Sequence, residues 1–133
     1  MRHPMGFLCF VGVALFGLLG CRREPPGVVC HVTYGGEVTR VAFAATANPY
    51  TVKALDVAGR FAFKVIYVRE PWQAASISVY AYQRTSGGDR LLQEGKYARP
   101  FSPGGEARYG FTGRQLLYST EQRELEYWCE LPP

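Results

Sequence analysis

Apolar and polar residues alternate at a period of two along most of the chain, the signature of strands with one buried face. Residues 28–34 put Val28, Cys30, Val32 and Tyr34 on one side and His31 and Thr33 on the other. Residues 60–69 are the most strongly patterned, with Phe61, Phe63, Val65 and Tyr67 sharing a face. Residues 75–83 set Ile77, Val79 and Ala81 against Ser78, Tyr80 and Tyr82. Residues 125–131 set Leu125, Tyr127, Cys129 and Leu131 against Glu124, Glu126 and Glu130. The same reading gives strands over 37–45, 50–57 and 90–97, and short ones over 109–111 and 116–119.

Turn residues punctuate these runs. Gly35-Gly36 marks a hairpin, because glycine accepts positive φ. Asn48-Pro49, Glu70-Pro71 and Ser86-Gly87-Gly88-Asp89 mark further turns. Helical signals are confined to Ala74-Ala75 and to one turn over 120–126 with Thr120 as N-cap. Regularly spaced strands between such turns predict an all-β, two-layer antiparallel β-sandwich of about seven to nine strands. Immunoglobulin-like and transthyretin-like arrangements both fit. The Cys, central Trp, Cys order of immunoglobulin domains is half present: Trp72 follows Pro71, and Trp128 adjoins Cys129.

The first residues follow another pattern. Arg2 and His3 precede a run from Met5 to Leu19 that carries no charge. A spanning helix needs about 20 apolar residues, so this run is short for a permanent anchor and fits an export signal. It ends Leu18-Leu19-Gly20-Cys21. These residues resemble the lipobox of bacterial lipoproteins, in which the cysteine is lipidated and becomes the first mature residue. The resemblance implies a signal peptide over 1–20, acyl chains on Cys21, and a membrane-anchored protein facing the periplasm. Two or more chains give stable attachment, whereas one gives only marginal binding. Residues 21–27 then read as a tether stiffened by Pro25 and Pro26, and residues 28–133 as the sandwich domain. Arg22 is not the Asp that retains many such proteins at the inner membrane, so the resemblance points to the outer membrane.

Of four cysteines, Cys9 lies in the signal and Cys21 takes the lipid. Cys30 and Cys129 remain, both on apolar faces. An exported compartment is oxidising, and an even remainder predicts a Cys30–Cys129 disulfide tying the first strand to the last. Closing about 100 residues is worth on the order of 4–5 kcal/mol in the chain-entropy account. Two distant cysteines and one mature histidine lack zinc-site spacing.

Beyond the signal, fourteen basic side chains face eleven acidic ones. That mild, scattered excess lacks the clustered patch of a nucleic-acid binder. Catalytic patterns are equally sparse. His31 reads as a surface histidine on the polar side of its strand. Glu121, Glu124, Glu126 and Glu130 read as a solvated strand face. Asp56 and Asp89 are too far apart for a calcium loop. No Gly-x-Ser-x-Gly elbow occurs, so no enzyme, cofactor or metal is expected.

The stretch 96–111 is the most informative. It carries Tyr97, Arg99, Phe101, Arg108, Tyr109 and Phe111 among prolines and glycines. Long loops in small domains are often functional, and Tyr and Arg are enriched at interface hot spots. The five residues Tyr97, Arg99, Phe101, Arg108 and Tyr109 are therefore candidates for binding a protein partner; the alternative is that the aromatics cap one end of the sandwich. Tyr80, Tyr82 and Trp72 form a second candidate surface. The resulting expectation is an envelope lipoprotein acting as a protein-binding module, either a complex subunit or an immunity-type inhibitor. A binder of a small molecule, glycan or lipid is the alternative.

Overall fold

The computed structural model describes residues 27–133. The expected signal peptide over 1–20 and the expected lipidation site Cys21 lie outside the described residues. Eight strands form: β1 Val28–Tyr34, β2 Glu37–Phe43, β3 Leu55–Val57, β4 Phe61–Val68, β5 Ser76–Thr85, β6 Gly88–Ala98, β7 Gln115–Tyr118 and β8 Glu124–Glu130. They make two antiparallel four-stranded sheets, in the orders β2-β1-β8-β7 and β3-β4-β5-β6. The chain is thus an all-β, two-layer sandwich.

The alternation explains why the sheets face one another. Val28, Cys30 and Val32 of β1 and Leu125, Tyr127 and Cys129 of β8 are buried against Phe61, Phe63 and Val65 of β4 and Ile77, Val79 and Ala81 of β5. Within this layer the Phe63 and Tyr127 ring centroids lie 4.9 Å apart. Cys30 and Cys129 stand opposite each other in the β1–β8 register and are disulfide-bonded. The bridge joins neighbouring strands of one sheet, unlike the inter-sheet bridge of antibody domains.

Four local expectations are corrected. Residues 50–57 are not one strand. The Asn48 side chain accepts the Tyr50 amide at 3.1 Å and starts a 3-10 turn over Pro49–Thr51, leaving only Leu55–Val57 extended. The second strand ends at Phe43, and Ala45 crosses to bridge Tyr67 of the other sheet. Residues 109–111 form no strand, because a 3-10 turn over Ala107–Tyr109 runs into Gly110 at φ 62°. Residues 120–126 form no helical turn. The buried alternation of Leu125, Tyr127 and Cys129 outweighs the local signal, and the Thr120 hydroxyl instead accepts from Gln83 Nε2 at 2.7 Å.

The topology sorts the connections to two ends. At the near end, where the chain comes into β1, lie residues 44–54, 69–75 and 99–114 and the C-terminus. At the far end lie residues 35–36, 58–60, 86–87 and 119–123.

Candidate functional site

The near-end connection after β6 carries Arg99, Phe101, Arg108 and Tyr109, whereas Tyr97, expected in the same loop, lies within β6 opposite Ile77; the structure divides these candidates. The connection is fixed by close backbone approach. The Gly104 amide donates to the Gly110 carbonyl at 3.2 Å, and the Phe111 amide to the Cys129 carbonyl at 3.1 Å. Gly110 is required where it stands: a Cβ there would lie 2.1 Å from the Cys129 oxygen. Phe111 is thereby buried, and two candidates pack on it. Tyr97 meets its ring edge-on at 5.1 Å and Phe101 at 6.0 Å. Burial pushes the Tyr97 hydroxyl above the usual phenol range. Arg99 turns elsewhere, lying 4.3 Å over the Trp72 ring.

Arg108 and Tyr109 take a different course. The Arg108 guanidinium lies 4.7 Å over the Tyr109 ring and pairs with Glu106 at 2.8 Å. Tyr109 meets Trp128 edge-on at 5.9 Å. Trp128 in turn stacks on His31, with centroids 3.8 Å apart and planes 10° from parallel. His31 faces outward as expected, but it is covered by the Trp128 ring rather than solvated or hydrogen-bonded through Nε2. Its Nε2 is buried without a hydrogen-bond partner, 3.7 Å from Glu130 Oε1. The stack occurs because His31 and Trp128 are register partners on the outward faces of β1 and β8.

This outward face continues across the sheet. Val38, Thr33, Glu126 and Leu116 are successive register partners from β2 to β7. Leu116 is 42% exposed and Tyr118 59% exposed. Arg114 grips Glu126 through two hydrogen bonds, at 2.7 and 3.0 Å. Those bonds hold the Glu126 carboxyl below the usual carboxylate range. The neighbouring Glu124 carboxylate raises the Tyr118 phenol.

The opposite sheet presents Tyr80 and Tyr82 outward, 6.2 Å apart and nearly parallel. Lys64 lies over both rings, at 5.4 and 5.9 Å. Ile77, Val79 and Ala81 are buried, so the tyrosine side of β5 is the one that faces solvent.

The acids expected as one solvated cluster separate. Glu121 pairs with Arg123, Glu126 with Arg114, and Glu130 sits beside His31. Asp56 and Asp89, distant in sequence, meet at Arg84, at 2.7 and 3.4 Å. Among the described residues no His, Cys, Asp and Glu side chains gather into a metal-holding group, and no helix is long and apolar enough to cross a membrane.

Sequence reasoning missed Trp128 as a surface residue. Its signal was present: it occupies the outward register of β8 between Glu126 and Glu130, where the other side chains are acids. Comparison with family models, curated proteins and solved structures finds no match for the chain.

Proposed function

We propose that the chain is a periplasm-facing envelope lipoprotein, anchored through Cys21, that binds a protein partner with the outward face of the β2-β1-β8-β7 sheet. The observation that carries this reading is the aromatic array of Tyr109, Trp128 and His31 beside the exposed Leu116 and Tyr118. Trp, Tyr and Arg dominate interface hot spots, and a broad face with an apolar centre and polar rim suits a protein surface. Arg108 and Arg114 supply that rim. The reading keeps Arg108 and Tyr109 as binding residues and gives Tyr97 and Phe101 to packing on Phe111. The reading covers both a subunit of an envelope complex and an immunity-type inhibitor.

Site-specific photocrosslinking in cells tests it. A photoreactive residue at Tyr118 is expected to give one discrete adduct of higher mass, and the same residue at Tyr80 none. Adducts from Tyr80 alone would move the interface to the opposite sheet and overturn the assignment.

A further inference from the structure

The near end carries a second surface in the connections 44–54 and 69–75, which contribute no residue to the proposed partner face. Tyr50 is 95% exposed and Trp72 45% exposed, both in near-end connections. The same two connections line a groove of about 390 Å³, formed by Ala44, Ala45, Thr46, Ala47 and Val68 through Glu70. Residues 44–54 and 69–75 carry Lys53 and Arg69 against the acid Glu70, and Arg99 of the third near-end connection, which also holds Arg108, Arg114 and Glu106, reaches over to Trp72. Arg99 holds the Trp72 ring from one side and donates to the Trp72 carbonyl at 3.4 Å.

The chain's own geometry says what this end faces. Gly27 is buried against Phe43 at this end, where a Cβ would lie 1.9 Å from the Phe43 oxygen. Only six peptide links separate Gly27 from Cys21, at most about 22 Å of extended chain. A lipid on Cys21 therefore holds the near end, where Gly27 sits, within that distance of the bilayer, a bound that the far end does not share. Trp and Tyr favour the membrane–water interface, where an apolar ring and a polar tip are both satisfied. Basic side chains near the surface are drawn to anionic headgroups.

We propose that the near end is a bilayer-contact surface, with Tyr50 and Trp72 at headgroup level and Lys53, Arg69 and Arg99 against anionic lipid. The proposal rests on the anchoring reading of Cys21. It makes the short tether one of two attachments, so that the domain stands upright with the Trp128 face turned sideways.

Quenching by brominated lipid tests it. The full lipidated chain is reconstituted in phosphatidylethanolamine–phosphatidylglycerol vesicles with bromines at the top of the acyl chains. Trp128→Phe leaves Trp72 as the sole tryptophan, and Trp72→Phe leaves Trp128. Trp72 is expected to lose most of its emission and Trp128 to keep its own. The wild-type chain, which avoids any folding defect of the variants, should lose a part equal to the Trp72 share. Flotation with Trp72 unquenched, or with both tryptophans quenched alike, overturns the contact while the anchor stands. Failure to float with the vesicles overturns the anchor, and the contact with it.

Discussion

The two ends of the sandwich are closed by different physics. The near end is closed by packing and by backbone in direct approach: Phe101 and Tyr97 on Phe111, Arg99 on Trp72, Gly110 against Cys129. The far end is closed by charge and polar hydrogen bonds. Arg84 holds Asp56 and Asp89, Arg123 holds Glu121 and donates to the Tyr34 hydroxyl at 3.1 Å, and Gln83 exchanges two bonds with Thr120. The far-end connections contain no aromatic residue, whereas those at the near end contain Tyr50, Trp72, Phe101, Tyr109 and Phe111. Large apolar side chains thus collect where the chain comes into β1. Exposed ion pairs are worth at most about 1 kcal/mol, while apolar burial is worth several times that. The ends should therefore respond very differently to substitution.

The largest effect is expected at the disulfide, which lies towards the near end between β1 and β8. Replacing Cys30 and Cys129 together with Ala should lower unfolding free energy by about 2–5 kcal/mol. Urea denaturation reads this as a lower midpoint. A midpoint equal to wild type would mean that the paired strands need no staple.

Gly110→Ala is next. Its φ of 62° disfavours any side chain, and the added methyl meets a backbone oxygen that has no flexible end to move aside. Strain of about 1–3 kcal/mol is expected, with loss of slow amide exchange at Phe111. Asp56→Asn at the far end should cost at most about 1 kcal/mol, because the ion pair is exposed. Thermal melting of the two variants side by side checks the comparison. Equal losses would erase the distinction between the ends.

The smallest effect concerns pH. Glu126 has a lowered pKa in the folded chain because of Arg114. A depressed carboxylate contributes stability above its unfolded pKa, and that contribution is lost as pH falls through the folded value. Arg114→Ala should return Glu126 towards the ordinary carboxylate range in an NMR titration and flatten stability on the acid side. An unmoved titration would show that the pair does not persist in solution.

Much of the fold was legible in the sequence, for a definite reason. Phe61, Phe63, Val65 and Tyr67 alternate because one face of β4 is buried, and burial imposes the period of two. The Cys30–Cys129 pairing was legible because both positions fell on apolar faces. The missing part of the third strand was not, because Asn48 and Pro49 favour a capped turn over a ladder. The candidate site was half legible. Aromatic residues in a loop look alike whether they cover a core or face solvent, and only the burial of Phe111 separates Tyr97 and Phe101 from Tyr109. Trp128 was legible as outward-facing from its glutamate neighbours, but its stacking on His31 depends on the β1–β8 register, which the sequence does not display.

The central claim is that the sheet face, with Tyr109, binds and that Tyr97 and Phe101 pack. One paired measurement reaches it: melting temperature and affinity for the photocrosslinked partner, taken on two double variants. Leu116→Glu with Tyr118→Glu should keep the melting temperature near wild type and weaken binding by at least about tenfold, as hot-spot losses do. Arg99→Ala with Phe101→Ala should lower the melting temperature, since Phe101 packs on Phe111, and leave affinity unchanged. The opposite pattern, a stable loop variant that no longer binds and a face variant that binds as before, would contradict the account.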